Sequence, residues 1–460
     1  MFREVLPAVV DKLRSLSLFK VGHEVTVIRD IKGHIRLVVG TSDPATAPLP
    51  SETLTSQIET ALRQHIGSWL ATPAIWKDDS PAAGSSEPKD PKKQARHLAL
   101  ELVRTQRQKA PWEPKAQDPS WFLLERHTAK RAWVGEATPS PPWPIDDVNR
   151  DEADLARMPP VITFFSHKGG VGRTTALLAT ALHLARAGQK VAVVDLDIEA
   201  PGLASLFFRD PPSAGCLDYL LAADPSASMV REVTVLVADK TFIGNGAELQ
   251  VVTAGGVDDA FLEMLARIDL QDAGAGRELA KRINQLFTEL QASAGPLDFI
   301  LVDARAGLHE VAGLMLAGLC HGAVVVGTNS PQSWLGVTQV AKLLSGPYQR
   351  DGKDPLPLLL VHGMAPPATD NSNESETKRF QEIAYDELSK HYYPRDQVPN
   401  TGAGDESHRP IVIPYTAELR GGGGLLTAPV VDVLLGKPYR ELAKRLGRQF
   451  DRPLKATEPL

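Results

Sequence analysis

The sequence predicts an α/β protein in which a mostly parallel, doubly wound sheet follows a smaller α+β domain. From residue 158 onward, short β-rich runs such as VITFF, VAVVD and DFILVD alternate with longer helical patterns. The runs are apolar from end to end, which is typical of parallel strands covered by helices on both faces. Strands that alternate with helices form βαβ units, so we expect a parallel sheet.

The first 75 residues predict a small α/β unit of their own. A helix at about residues 2–17 is followed by two β-rich runs, HEVTVIRD and HIRLVVG. The three residues Ile31, Lys32 and Gly33 separate these runs. A short connection that contains glycine indicates a β-hairpin.

Two Pro-rich stretches separate this unit from the sheet. One begins at Lys77 and the other at Ala137, and their composition indicates linkers or exposed loops. We therefore predict a linker and adaptor segment at 76–150 and the main domain at 151–460. Four tryptophans of this region are interpreted as packing aromatics, with a partner-binding surface as the alternative: Trp112, Trp121, Trp133 and Trp143.

The composition is that of a globular protein with no marked preference for nucleic acid or lipid. Hydrophobic residues make up 43% of the chain, charged residues make up 23%, and the formal net charge is −6. No apolar run reaches the roughly 18 residues that a membrane-spanning helix needs, so we expect no membrane span. Cys216 and Cys320 lie far apart in sequence, which argues against a disulfide framework and favours a cytoplasmic location.

The strongest local signal is a glycine-rich loop between a strand and a helix. The run VITFF ends at Phe165, the loop continues to Thr174, and a helical pattern begins there. Glycines allow consecutive backbone N–H groups to point at one anion, and the helix N-terminus adds its dipole. Thr174 places a hydroxyl where it can ligate Mg²⁺. The alternative interpretation is a plain strand-to-helix turn.

The segment HKGGVGRTT resembles the deviant Walker A motif, KGGxGKT, of the ParA/MinD family of P-loop ATPases. The resemblance implies that Lys168 is the signature lysine, which crosses a dimer interface to the partner's nucleotide. Arg173 stands where the family has its P-loop lysine, and guanidinium is planar and larger than ammonium. The resemblance also implies a set of nucleotide-binding residues: Gly169, Gly170, Val171, Gly172, Arg173, Thr174 and Thr175.

A second motif, VAVVDLDIEAPGL, places Asp195 and Asp197 at the end of a buried strand. Ligands bind at the carboxyl ends of parallel strands, and two acids there are costly without a cation. Aspartates that cap the next helix are the alternative. The resemblance implies that Asp197 orients the attacking water and Asp195 helps to hold Mg²⁺. It also implies a switch turn made of Glu199, Pro201 and Gly202.

A third motif, LDFILVDARAGLHE, resembles Walker B followed by switch II. By that resemblance Asp303 binds Mg²⁺ together with Thr174 and Asp195, and Gly307 lets the backbone move toward a γ-phosphate. An apolar strand that ends in aspartate is common in proteins. The Walker B interpretation therefore depends on the three motifs occurring in the family's order along the chain. By the same resemblance, Pro414 is the candidate contact to the adenine base. His362 stands where the family more usually has Asn or Arg.

Taken together, the resemblance implies an ATPase with ATP and Mg²⁺ as cofactors, which forms an ATP-dependent homodimer and acts as a switch. Residues 1–150 are interpreted as an adaptor to a protein partner in a multi-component bacterial system, with phage defence as one setting. The alternatives are a DNA-associated partition ATPase and, because of Arg173, a nucleotide-binding regulator with little turnover. The candidate DNA-binding cations are equally explained as a solvated helix face: Arg420, Arg440, Lys444, Arg445 and Arg448.

Overall fold

The computed structural model divides the chain into two compact units, Met1–Thr128 and Ala129–Leu460, and each is described by itself. The residues that the structure describes are 2–30, 33–79, 91–125, 132–134, 140–149, 157–222, 225–272, 277–345, 355–367, 369–370, 372–419 and 426–454.

The first unit is built on a five-stranded mixed sheet. Its elements in chain order are α1 (Phe2–Leu16), β1 (His23–Arg29), β2 (Ile35–Thr41), α2 (Glu52–Ile66), β3 (Leu70–Lys77), α3 (Pro91–Gln106), β4 (Gln108–Lys109) and β5 (Ser120–Glu125). The strand order is β3-β2-β1-β5-β4. Strands β1 and β2 pair antiparallel as the hairpin pattern predicts, whereas β5 runs parallel to β1. Ile31 and Lys32 of the connection lie outside the described residues.

Helices cover both faces of this first sheet. Along β2, Leu37 and Val39 pack in the same cluster as α1 and α2, whereas Val38 packs in the cluster that contains α3. Successive side chains of a strand point to opposite faces, so α3 lies opposite α1 and α2. The sheet also takes in residues 91–125, which the sequence analysis assigned to the linker and adaptor segment. The pairing of β5 with β1 joins residues about a hundred positions apart, and local patterns do not reveal it.

The second unit contains an eight-stranded sheet. Its strands are β6 (Val161–Phe165), β7 (Val191–Leu196), β8 (Thr234–Val237), β9 (Leu249–Val252), β10 (Phe299–Ala304), β11 (Gly322–Gly327), β12 (Leu358–Ala365) and β13 (Ile411–Pro414). Its helices are α4 (Ile145–Val148), α5 (Arg173–Arg186), α6 (Leu203–Phe207), α7 (Cys216–Leu221), α8 (Ala227–Val233), α9 (Lys240–Ile243), α10 (Asp259–Asp272), α11 (Arg277–Ala294), α12 (Glu310–Leu314), α13 (Pro331–Ser345), α14 (Asn373–His391), α15 (Ala428–Leu434) and α16 (Lys437–Gln449).

The order of the strands in the second sheet is β13-β12-β11-β6-β10-β7-β9-β8. Each described pairing is parallel except that of β8 with β9. Strand β6 therefore lies between β10 and β11, with β7 on the far side of β10. The three motif-bearing strands are neighbours, so their carboxyl ends meet at one edge of the sheet.

Helices lie on both faces of this sheet as well. Val324 and Leu359 belong to the core cluster that contains α5 and α16, whereas Val325 and Leu360 belong to the cluster of α13 and α14. This alternation along β11 and β12 confirms the predicted doubly wound α/β fold with a smaller α+β region before it. Among the described residues, no helix combines the length and the apolar character needed to cross a bilayer.

Two close contacts at glycines fix the glycine-rich loop against this sheet. A Cβ added to Gly363, on β12, would lie 2.4 Å from the carbonyl oxygen of Val171. A Cβ added to Gly336, on α13, would lie 2.0 Å from Cβ of His167. Side chains at either position would displace the loop, so both glycines define where the loop sits.

We expect Gly363→Ala to lower the free energy of unfolding by about 1–3 kcal/mol, because the new methyl group meets a backbone atom that cannot rotate away. Chemical denaturation followed by circular dichroism measures this change. Gly402→Ala is the matched control, since a Cβ there meets nothing within 4 Å. Equal stability of the two variants would contradict the close contact.

Candidate functional site

The glycine-rich loop connects the end of β6 to the first residue of α5 at the centre of the sheet. Gly170 has φ +73° and Gly172 has φ +91°, a backbone conformation that other L-residues rarely adopt. A Cβ at either glycine would project into open space, so the loop leaves room beside its backbone. Gly172 is also the N-cap of α5 and has no side chain that caps the helix. The loop therefore directs backbone N–H groups and the positive end of a helix dipole into open space.

A cleft of about 430 Å³ opens over this loop. Residues from the loop, from the turn after β7 and from the segment after β10 contribute to its wall, which confirms that the sheet order brings the motifs together. The lining residues are Ser166, Gly169, Gly170, Gly172, Arg173, Thr174, Thr175, Asp197, Ala200, Arg305 and Ala306.

Arg173 turns into the carboxylates at the floor of this cleft. Its Nε donates to Oδ1 of Asp303 at 2.6 Å, and its Nη2 donates to Oδ2 of Asp197 at 2.6 Å. The hydroxyl of Thr174 donates to the other oxygen of Asp303 at 2.7 Å. All three charged side chains are less than 10% exposed. One guanidinium therefore bridges the ends of β7 and β10.

The ionisation of this cluster follows from its burial. Burial raises the pKa of Asp303, although Arg173 and Thr174 act in the opposite direction. Burial by itself lowers the pKa of Arg173, but the two carboxylates outweigh it and the pKa is raised. Burial also raises the pKa of Asp195 to about 8, and nearby Asp303 adds to that shift. At neutral pH Asp195 is thus largely protonated, and Arg173 supplies one positive charge between Asp197 and Asp303.

Asp195 supports the turn that follows β7. Its Oδ1 accepts from the backbone N–H of Asp197 at 3.1 Å, and its Oδ2 accepts from Gly202 and Leu203 at 3.3 and 3.2 Å. The side chain is fully buried and does not line the cleft. Its predicted contribution to a Mg²⁺ site stays a prediction, because in this structure its oxygens hold the switch turn.

The two predicted switch segments contact each other and the loop. Gly307 has φ +86°, and its N–H donates to the carbonyl of Ser166 at 3.0 Å. Glu199 forms an ion pair with Arg305 and lies 3.4 Å from Nδ1 of His309. The turn after β7 is thus linked by charge to the segment after β10.

Arg305 is a residue of this region that the sequence interpretation missed, and Trp133, interpreted there as a packing aromatic, makes a hydrogen bond that it did not predict. Arg305 adds a second cation to the cleft, and the available signal was a basic residue two positions after the Walker B-like Asp303. Trp133 donates from Nε1 to the carbonyl of His309 at 2.7 Å and packs against Gly313. No local pattern indicates that contact, because the two residues are 176 positions apart.

Four other predicted residues lie around the cleft and not in its described lining. Lys168 is exposed, and Val171 is buried with its carbonyl against Gly363. Pro201 is half-buried in the switch turn, and Pro414 ends β13. Their predicted roles stay predictions.

His362 lies inside β12 and is fully buried. Its ring stacks on Phe380 at 4.1 Å between ring centroids, and Nε2 lies 3.5 Å from a carboxylate oxygen of Glu376. Burial lowers the pKa of His362 to about 4, so the ring is neutral at physiological pH. These contacts give it a packing role in the structure.

The tryptophans that the sequence analysis singled out pack as aromatics within their own units. Trp112 and Trp121 form an edge-to-face pair with ring centroids 5.7 Å apart. Trp143 donates to the carbonyl of Pro159 at 2.9 Å.

The cations of the C-terminal helix are partly engaged within the domain. Arg445 is buried and donates to the carbonyls of Arg409 and Glu406. Arg448 pairs with Asp405 at 3.1 Å, whereas Arg440 is exposed. Lys444 is exposed as well, and Arg420 lies outside the described residues.

The cysteines do not contribute to the cleft. Cys216 and Cys320 are both buried free thiols. Within the described part of the chain, no group of three or more His, Cys, Asp or Glu side chains is arranged to hold a metal ion.

A ParA family model, described as NUBPL iron-transfer P-loop NTPase, matches residues 157–222. Comparison with curated proteins gives no match. Among solved structures, pNOB8 ParA bound to nonspecific DNA is 17% identical with a TM-score of 0.42, over 64% of this chain and 99% of that chain. The cell division ATPase MinD of Pyrococcus furiosus is 21% identical with a TM-score of 0.41, over 64% and 100%. A ParA family ATPase from Chlorobium tepidum TLS is 18% identical with a TM-score of 0.39, over 62% and 98%.

These structural similarities are weak by TM-score, so classification depends on the matched segment, the loop geometry and the strand order. The matched segment contains β6, the glycine-rich loop, α5, β7 and the switch turn. In residues 157–222, the second unit is therefore similar to P-loop NTPases of the ParA family.

Proposed function

We propose that this domain binds and hydrolyses Mg-ATP and acts as a nucleotide-dependent dimeric switch. The observation that carries the proposal is the cleft in which an open glycine loop, a threonine hydroxyl and two carboxylates from neighbouring strands meet. Phosphoryl transfer is catalysed mainly by positioning and charge stabilisation, and this cleft offers groups for both.

The phosphate end of the ligand is assigned to the loop and the start of α5. Gly169 to Thr175 line the cleft almost without interruption, and the helix dipole favours an anion at that place. Arg173 and Arg305 supply two cations in the same wall. Guanidinium groups bind phosphate oxygens through paired hydrogen bonds, so the cleft suits a polyphosphate better than an uncharged ligand.

The donor set also fits Mg²⁺. Thr174 and Asp303 present oxygen atoms 2.7 Å apart, and hard divalent cations prefer oxygen ligands. Oδ1 of Asp197 is buried and accepts no hydrogen bond from the residues described. Thr174 and Asp303 would hold the cation, which when bound neutralises charge on the phosphate oxygens. Because Arg173 now occupies one oxygen of Asp303, it must turn away first.

Asp197 is the proposed water-orienting residue. It lines the cleft, and its buried Oδ1 is free among the described residues to accept a hydrogen bond from a water molecule. A carboxylate in this place can hold the water in line with a phosphate or accept its proton.

Lys168 is proposed to act across a dimer. It is exposed at the start of the loop and is absent from the described lining of its own cleft. An exposed signature lysine is consistent with a contact to a partner's nucleotide, so ATP would hold two subunits together until hydrolysis.

The first unit is proposed to connect this switch to a protein partner in a multi-component bacterial system, with phage defence as one setting.

The second candidate, a DNA-associated partition ATPase, needs a basic surface. Arg445 is buried and Arg448 is paired, which leaves Arg440 and Lys444 exposed on the last helix. ATP-dependent DNA binding that is lost with rising salt would favour the DNA-associated ATPase. ATP-dependent capture of a protein in the absence of DNA would favour the switch that acts on a protein partner.

Isothermal titration with Mg-ATP tests nucleotide binding directly. We expect Gly172→Ala to lose roughly tenfold in affinity or more, because alanine is strained at φ +91° and its methyl group enters the phosphate space. Gly404→Ala is the control, since that glycine lies in open space without a positive φ. Absence of binding heat for folded wild-type protein would refute the proposed function.

A phosphate-release assay tests hydrolysis. We expect Asp197→Asn to release phosphate about 100-fold more slowly than wild type while it still binds Mg-ATP, because the amide cannot accept a proton from water. Asp432→Asn, on the exposed side of α15, should behave as wild type. Wild-type protein that binds nucleotide but shows no turnover would favour the regulator alternative.

Sedimentation with a non-hydrolysable ATP analogue tests the dimer. We expect Lys168→Ala to abolish ATP-dependent dimerisation and to retain part of the monomer's nucleotide binding, since Lys168 is outside the cleft lining. Lys190→Ala is the control, because Lys190 is exposed before β7 at the opposite end of the sheet. The same dimer fraction in Lys168→Ala and wild type would exclude the role.

A further inference from the structure

Arg173 lies between two buried carboxylates at the floor of the cleft, one of which, Asp303, is a proposed cation ligand. The two hydrogen bonds of 2.6 Å, to Asp197 and Asp303, are both ion pairs, and the three side chains are 9%, 9% and 2% exposed. A buried carboxylate pair is unfavourable without a counterion. In this structure the guanidinium is that counterion.

The remaining oxygens show how little room the cluster leaves for a second cation. Oδ2 of Asp303 accepts from Thr174, and Oδ1 of Asp197 is the one carboxylate oxygen of the pair without a hydrogen bond from described residues. A divalent cation bound to these carboxylates would lie close to the guanidinium in a poorly solvated place. Like charges at that separation repel strongly, so the two cations exclude each other.

The shape of guanidinium makes this arrangement specific to arginine. Its Nε and Nη2 reach separate carboxylates at the same time, whereas a lysine ammonium is a single point of charge on a flexible stem. The lysine of the motif KGGxGKT would therefore not bridge Asp197 and Asp303 in the same way.

Arg173 has a second anionic partner within reach. It lines the cleft beside Gly172 and Thr175, where the proposed nucleotide would place its phosphates. Phosphate oxygens accept paired hydrogen bonds from guanidinium as carboxylates do. Phosphate oxygens would compete with Asp197 and Asp303 for the Nε–H and Nη2–H donors of Arg173.

We propose that Arg173 is the internal counterion of Asp197 and Asp303 in the nucleotide-free protein, and that a polyphosphate must draw it away before a divalent cation binds. Arg173 is thus a positioning residue that makes cation binding depend on nucleotide. The release step rests on the proposed function, whereas the counterion role does not. By linkage, a cation and a nucleotide then increase each other's affinity.

Mn²⁺ binding to the full-length, nucleotide-free protein, followed by electron paramagnetic resonance, tests the counterion role. We expect Arg173→Ala to bind Mn²⁺ at least about tenfold more tightly than wild type, because the carboxylates lose their counterion and accept the metal instead. Adding Asp303→Asn to Arg173→Ala should abolish the gain. Arg305→Ala is the matched control, since Arg305 lines the same cleft but pairs with Glu199.

Three results would overturn the counterion role: equal Mn²⁺ affinity in Arg173→Ala and wild type, tight binding by nucleotide-free wild type, or an equal gain in Arg305→Ala. Circular dichroism melting establishes that each variant is folded. If Arg173→Ala does not fold, Arg173→Gln keeps the aliphatic part and a polar end, removes the charge, and is expected to show the same gain.

A second titration, with a non-hydrolysable ATP analogue present, tests the release step. We expect wild type to bind one Mn²⁺ per site under these conditions. Nucleotide binding in calorimetry without Mn²⁺ uptake would overturn the release step. Absence of any nucleotide binding would refute the proposed function, while the nucleotide-free titration would still decide the counterion role.

Discussion

The candidate site is organised by one buried interaction, the bridge from Arg173 to Asp197 and Asp303. It joins the first residue of α5 to the ends of β7 and β10, so three segments that are separate in sequence become one unit. Removing one partner from a buried ion pair typically costs about 3–5 kcal/mol, because the remaining charge is left without compensation. Burial of Asp197 and Asp303 at this edge of the sheet is therefore favourable only with a cation beside them.

The order of strands explains why the bridge can form. β6 lies beside β10, and β10 lies beside β7, with Asp303 directly opposite Asp195 in the parallel register. Parallel strands bring their carboxyl ends to the same edge, which is where open α/β sheets bind ligands. Gly336 and Gly363 then fix the glycine-rich loop at that edge, because Gly336 on α13 lies against the side chain of His167 and Gly363 on β12 lies against the backbone of Val171.

Contacts between the turn after β7 and the segment after β10 extend this organisation beyond the cleft. Glu199 pairs with Arg305 and approaches His309, whose carbonyl accepts a hydrogen bond from Trp133. A change in the position of the turn after β7 would thus alter the environment of the segment after β10. The cleft, the turn after β7 and the segment after β10 form one connected set of charges, in which Asp195 holds the backbone and Asp197 lines the cleft.

The sequence by itself determined the features that depend on neighbouring residues. The glycine loop from Gly169 to Gly172, the start of α5, and the strands ending in Asp195 and Asp303 follow from local backbone freedom and apolar periodicity, and so does the parallel fold. Tertiary structure decided the features that depend on contacts between residues far apart in the sequence. The pairing of β5 with β1 and the hydrogen bond from Arg173 to Asp303 each join residues roughly a hundred positions apart. Such contacts depend on burial and charge compensation in three dimensions, and these leave no periodic signal in the chain.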